Sequence, residues 1–251
     1  MSGVLVALQF LTRIPSPLRR PILEPEMGRS MIWFPLVGAL VGALVGLLDL
    51  ALTPVLAVEV RSLAVVGALA LLTGALHLDG LMDSCDALFA FTSAERRLEI
   101  LHDSHVGSFA VVGAATLLLT KYGAFVALPS NQRLIAFVAA GALSRWAMVY
   151  AVHCYPIARS TGLAHMFRQH LRRTDLILAS LMAALSVIPT GLGGLLLVVA
   201  AWALTAICSR YTLGKIPGLT GDIYGAICEV VEVGVAIAFT PISALGWPSV
   251  F

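Results

Sequence analysis

The chain has 251 residues, of which 59% are hydrophobic and only 12% charged, with a mean hydropathy of +0.93. A soluble globular chain carries about 25% charged residues, so the composition excludes a water-soluble domain. The net charge of +2 gives no footing for nucleic acid, and the unbroken apolar runs argue against a transmembrane barrel, whose strands are about 10 residues of alternating polarity.

The expected fold is therefore all-α: a polytopic helical membrane protein, forming one integral-membrane domain over residues 1–251. The opening stretch "MSGVLVALQFLTRIPSPLRR" lacks a basic n-region and a small-x-small cleavage site, and is read as mature chain. A span needs about 20 mainly apolar residues. Seven candidates follow in order, at about 31–52, 63–78, 106–128, 133–153, 176–190, 194–210 and 222–245. In the first, Gly38, Gly42 and Gly46 stand four apart and predict close approach of another helix. The fifth and sixth are short, are separated by "PTGLGG", and read as a tight helical hairpin. Cys85, Cys154, Cys208 and Cys228 are scattered, which indicates neither a disulfide framework nor a zinc site.

Basic residues set the orientation. With seven spans, one side holds Arg13, Arg19, Arg20, Arg29, Arg96, Arg97, Arg159, Arg168, Arg172, Arg173, Arg210 and Lys215, and the other holds only Arg61 and Arg133. The bias places the N-terminus and residues 79–105 in the cytoplasm and the C-terminus outside.

The chemistry gathers in "HLDGLMDSCDALFAF", residues 77–91. Asp79, Asp83 and Asp86 recur at i, i+4 and i+7, so a helix would put all three on one face. Like charges at that spacing repel, and one aspartate at the centre of a membrane helix costs about 2.5–3.5 kcal/mol. Such a cluster belongs at an interface or around a cation. "TSAE", Thr92 to Glu95, fits a capping box that opens an amphipathic interfacial helix. That helix delivers Asp103 and His105 to the start of the third span, opposite the first three acids. Carboxylates alone suit hard cations, and Mg²⁺ is usually shared between one or two carboxylates and substrate phosphates.

Further candidates lie on the same side. Arg145, in "LSRW", sits about 12 Å along its span, within reach of a phosphate. In "GLTGDIYGAICEVVE", Asp222 opens the last span after a glycine-rich turn, and Glu229 follows on the same face, with Glu232 deeper. His77 and His105 flank the acidic segment as candidate substrate contacts, and His102 is a weaker one. Lys121 and Asp49 fall near the outer ends of their spans, where snorkelling accounts for both.

The blocks "HLDGLMDSCDALFA", "RLEILHDSHVG", "LSRW" and "GLTGDIYGAICEVVE", with "FLTRIPSP" and "WFPLVG" nearer the N-terminus, resemble the cobalamin synthase family of membrane-embedded adenosylcobinamide-GDP ribazoletransferases. The resemblance runs from residue 10 to about 232. It implies transfer of α-ribazole or its 5′-phosphate onto adenosylcobinamide-GDP with release of GMP, the last assembly step of the cobalamin nucleotide loop, at the cytoplasmic face of a bacterial inner membrane. Mg²⁺ is the implied cofactor, and membrane lipid the implied surroundings. A homo-oligomer is compatible with it. Asp79, Asp83, Asp86, Asp103, Arg145, Asp222 and Glu229 carry over by motif, with Asp103, from a different helix than the main cluster, as the candidate general base. Ala87 stands where the family has glycine, and His105 where it has arginine. A CDP-alcohol phosphotransferase would show D-G-x-x-A-R, which "DGLMDS" lacks. A prenyltransferase is a weaker rival. A cation-coupled transporter would gather its carboxylates near the midplane, often in repeats.

Overall fold

A computed structural model describes residues 2–18 and 20–244. All elements among them are helical, and the only β-pairing is an isolated bridge between Ile157 and Leu219. Ser2–Leu11 (α1) and Glu24–Ser30 (α2) precede a 3₁₀ turn, Met31–Trp33, which runs into Phe34–Leu52 (α3). Val58–Thr73 (α4), Leu76–Phe89 (α5) and Ala94–Ile100 (α6) follow. Then come Ser108–Ala127 (α7), Arg133–Cys154 (α8), Leu163–His170 (α9), Arg173–Val187 (α10), Gly191–Leu213 (α11) and Gly221–Ala244 (α12).

Five apolar helical stretches are long enough to cross a membrane, and the bent pair α4–α5 makes a sixth. The stretch 173–213 spans 41 residues, about 60 Å if straight, twice a bilayer core. It does not run straight. The Arg173 charge reaches His153 and the Arg210 charge reaches Tyr155, so both ends return to the foot of α8. The reversal occurs at a 3₁₀ turn, Ile188–Thr190, with Gly191 at φ 54°. The expected hairpin is therefore present, and counting its two arms separately agrees with about seven passages.

The outside of the bundle is greasy and the inside holds the charges. Leu36, Leu40, Leu44 and Leu47 on α3 and Leu181 and Leu185 on α10 are exposed, whereas Asp49, Lys121, Arg133, Arg145 and Glu232 are buried. That inversion is what a hydrocarbon solvent demands. On α3 the glycine stripe packs as expected. A Cβ at Gly38 or Gly42 would strike the carbonyl oxygens of Gly141 and Phe137 on α8, so the two backbones touch.

The second predicted span, 63–78, ends early. Gly74 and Ala75 both take left-handed backbone, at φ 61° and 56°, and α5 leaves α4 at 92°. The Ala75 N–H donates to the Ala70 carbonyl at 2.8 Å, which closes the C-terminus of α4. Ala75 is the only non-glycine with positive φ among the described residues, a conformation that costs about 1–3 kcal/mol and persists when the surroundings hold it. Here Arg13 holds it, donating its N–H to the Leu72 carbonyl at 2.7 Å with its side chain against Gly74. The sequence places the acids at the mouth of a straight span; the fold carries them on a separate helix turned across the end of the bundle.

Candidate active site

The face of α5 opposite the acids is buried through His77, Leu81, Ser84, Cys85 and Leu88. Against it stands α12, close enough that a Cβ at Gly80 would strike the Asp222 backbone. That close approach, possible only for glycine, brings Asp222 to the acidic face of α5. At the other end, Arg97 Nη1 donates to the Ala87 and Leu88 carbonyls, each at 2.7 Å, and Lys215 Nζ donates to Leu88 at 2.7 Å. Two cations thus close the negative end of the α5 dipole. The sequence counts Arg97 among the basic residues of the cytoplasmic side; the structure buries it in this cap. The cap of α6 itself is also one residue later than expected. Ser93, not Thr92, accepts from the Arg96 N–H, at 3.3 Å.

Asp79, Asp83 and Asp86 share one side of α5 as predicted, Asp79 exposed and the other two half-buried. Asp83 sits in the field of Asp79, Asp222 and Asp86, with His102 acting in the opposite sense. Asp222 likewise feels His102 and Asp79. Asp86 differs from its neighbours. Its two oxygens accept the N–H groups of Gly107, at 2.6 Å, and Ala110, at 2.9 Å, so it caps the start of α7. Among the described residues, Asp79, Asp83 and Asp222 have no Lys or Arg partner within salt-bridge distance, so this is a like-charge group held together by the fold.

Residues 101–107 carry His102 to that group. Arg159, from the segment after α8, hydrogen-bonds His102 and donates to the Leu98 carbonyl at 2.6 Å. Sequence reasoning gave His102 little weight and Arg159 none; Arg159 lies far from the acids in sequence, and only the fold joins it to them. Asp103 and His105 form a pair of their own at the exposed rim, with His105 Nδ1 2.6 Å from Asp103 Oδ1. The hydrogen bond to His105 holds the Asp103 carboxyl below the usual carboxylate range, and the same contact raises the His105 imidazole. Arg96 is the other charge near Asp103. The expected partnership of Asp103 with the α5 acids is thus replaced by partnership with its neighbour two residues on.

Arg145 and Glu229 are not at the acidic face. Arg145 pairs with Glu232 inside the bundle, and Lys121 Nζ bridges Glu229 at 2.6 Å and Glu232 at 2.9 Å. All four are buried. Arg145, expected within reach of a phosphate, is here buried and paired with Glu232. Snorkelling is corrected for Lys121 and Asp49. At the far end of the bundle Asp49 takes Arg133 in a two-point contact, at 2.7 and 2.8 Å, with Arg61 at 3.4 Å. An unpaired charge in hydrocarbon is too costly to leave, so each finds an opposite. The balance of Lys121 and Arg145 against Glu229 and Glu232 was the available signal.

His77 is buried at the start of α5, and neither ring nitrogen has a hydrogen-bond partner. It lines a cavity of about 130 Å³ between α1, α3, α5, α8, α9 and α12, together with Asp79, Asp222 and Tyr224. Among the described residues no three His, Cys, Asp or Glu side chains close into a ready metal cage. A magnesium ion that completes its shell with substrate phosphates and water needs none. Asp79, Asp83 and Asp222 offer the hard oxygens it prefers, in a group whose mutual repulsion a cation relieves.

The profile of the family described as Cobalamin-5-phosphate synthase matches residues 3–240. The chain is 38% identical over 239 residues to the adenosylcobinamide-GDP ribazoletransferase of Roseiflexus sp. (strain RS-1), an alignment that covers 95% of this chain and 88% of that protein. It is 35% identical to the ribazoletransferase of Desulforamulus reducens, with 93% and 94% covered, and 37% identical to that of Herpetosiphon aurantiacus, with 90% and 91% covered. No solved structure matches it. A match across nearly the whole chain, on the blocks that build the acidic face and the helix it rests on, leaves one assignment: the chain belongs to the cobalamin-5-phosphate synthase family, the adenosylcobinamide-GDP ribazoletransferases of cobalamin biosynthesis.

Proposed function

We propose that the protein, acting as a single integral-membrane domain, uses Mg²⁺ to join α-ribazole or its 5′-phosphate to adenosylcobinamide-GDP, releasing GMP and giving adenosylcobalamin or its 5′-phosphate. The observation that carries this reading is the gathering of Asp79, Asp83 and Asp222 on one face that solvent reaches at Asp79, without basic partners among the described residues, beside His102 and Arg159. The relatives, adenosylcobinamide-GDP ribazoletransferases, support adenosylcobinamide-GDP and a ribazole-type acceptor as the substrates.

A ribose hydroxyl of ribazole attacks the phosphorus attached to cobinamide. The new P–O bond forms as the bond to GMP breaks, and GMP leaves with the electron pair. The hydroxyl proton passes to a carboxylate of the Asp79–Asp83–Asp222 group rather than to Asp103, which is tied to His105. These carboxylates would hold Mg²⁺, which would supply charge neutralisation at the pyrophosphate. Asp86 supports the site by fixing the start of α7. Purified protein given Mg²⁺ and adenosylcobinamide-GDP should form GMP only after α-ribazole or its phosphate is added, and EDTA should stop it. GMP formed equally well without ribazole would make the protein a hydrolase. No GMP from folded protein with verified substrates would return the question to lipid-head-group transfer or transport.

The acidic face is assigned to the cytoplasmic side of a bacterial inner membrane, because the basic loops lie at that end. Cysteines introduced at Ser93 and Asn131, in a background free of the native four, should label from opposite sides of the membrane. Labelling of both from one side would remove the seven-passage topology.

A further inference from the structure

The cavity beneath the acids has a composition that the transfer chemistry alone does not explain. Asp79 and Asp222 stand at it, but its walls are aromatic and aliphatic. Phe10, Phe34 and Phe167 form a mutually packed triad with ring centroids 5.3 to 5.9 Å apart. Two polar side chains line the same space, and both are orphans. His77 has two unpartnered ring nitrogens and Tyr224 an unpartnered hydroxyl, with exposures of 1% and 2%. Buried polar groups without partners cost about 1–3 kcal/mol each, so their coincidence in one cavity asks for a ligand that supplies them.

Resting on the function proposed above, we infer that this cavity seats the benzimidazole ring of ribazole, with the free ring nitrogen accepting a hydrogen bond from His77 or Tyr224. Four properties of the cavity select this ligand. Its volume of about 130 Å³ suits one bicyclic aromatic ring and is far too small for a corrin. The aromatic triad offers the faces and edges that planar heteroaromatics pack against. A dimethylated benzimidazole has an apolar edge and one acceptor nitrogen, which matches apolar walls with few polar groups. Guanine carries several donors and acceptors along one edge, and those walls would leave most of them unpaired. Finally, Asp79 and Asp222 at the cavity place the attached ribose at the acids, where its hydroxyl must react.

The test compares α-ribazole with the corresponding dimethylindole riboside, in which a C–H replaces the acceptor nitrogen. Binding of each to purified protein is measured in detergent without the corrinoid substrate, beside KM and kcat for turnover. The wild type should hold the indole analogue about tenfold more weakly, the ratio that one hydrogen bond carries. Tyr224→Phe and His77→Phe are the companion variants. One of them should erase that discrimination and raise KM for ribazole while leaving KM for adenosylcobinamide-GDP unchanged. His77→Gln, which keeps an N–H donor, should restore part of it if His77 is the donor. Equal binding of the two ribosides by the wild type would overturn the assignment without any variant. So would competition by GMP for ribazole binding, which would make the cavity a guanine site. If the wild type releases no GMP with either riboside, the transferase reading itself fails; if it turns over normally but does not discriminate, only the base pocket fails.

Discussion

Two groups of charges lie within one small bundle, and they are built on opposite rules. The interior group, Lys121 and Arg145 with Glu229 and Glu232, is balanced in sign, buried, and closed by the Arg145–Glu232 pair and by Lys121 contacts at 2.6 and 2.9 Å. The acidic group on α5 and α12 is of one sign, with Asp79 exposed and Asp83 and Asp222 half-buried, and without Lys or Arg partners at these three among the described residues. Buried opposite charges compensate one another's desolvation, and breaking one pair leaves an uncompensated ion. Like charges at an interface raise the energy of the empty site and are relieved when a cation or a cationic ligand arrives. The first arrangement holds helices; the second is poised for a ligand. The contrast also shows where Arg145 and Glu229, carried over by motif, stand: in the interior group. Residues of one motif block end in different groups, because α12 runs from the acidic face into the interior.

The comparison breaks most visibly at Glu232, which faces both Lys121 and Arg145. Glu232→Leu should destabilise the protein by about 3–5 kcal/mol, the cost of leaving buried charge unpaired, seen as aggregation or a lowered melting temperature in detergent. Stable, monodisperse Glu232→Leu protein would show that the interior cluster is not a structural clamp. Asp83→Asn should do the reverse. Removing one of several like charges should leave the melting temperature unchanged or raised, while turnover falls at least about 100-fold, equivalent to about 2.7 kcal/mol in the barrier. A loss of folding rather than turnover would place Asp83 in the structural class.

The smallest effect sharpens the boundary between the groups at the rim. The Asp103 contact raises the His105 imidazole, so the charged pair contributes most below about pH 6.5, the ordinary histidine value, and is lost as pH rises through the raised one. Asp103 is lowered, so from the acid side the contribution is present above its ordinary value and fades as pH falls through the lowered one. An NMR titration of His105 should have its midpoint above about 6.5 and return towards that value in Asp103→Asn. An identical midpoint in the two proteins would mean that the pair does not form in solution.

Much of this was legible in the chain itself. Hydropathy and length located the spans, because each run must cover a bilayer core with its own backbone hydrogen bonds satisfied. The i, i+4, i+7 spacing placed Asp79, Asp83 and Asp86 on one face, because helical geometry is local. The glycine stripe on α3 announced its contact with α8, because only small residues admit such approach. What lay beyond it was decided by partners far away in sequence. Asp86 and Asp83 have the same chemistry and differ in role because Gly107 and Ala110 reach one of them. Lys121 is structural because Glu229 and Glu232, more than a hundred residues later, meet it. The 92° turn at Gly74–Ala75, fastened by Arg13, lays the acids across the end of the bundle. Local sequence determined which residues share a helix face; only tertiary packing determined which charges are neutralised there and which are left for a ligand, because that depends on what is brought within a few ångströms across the fold.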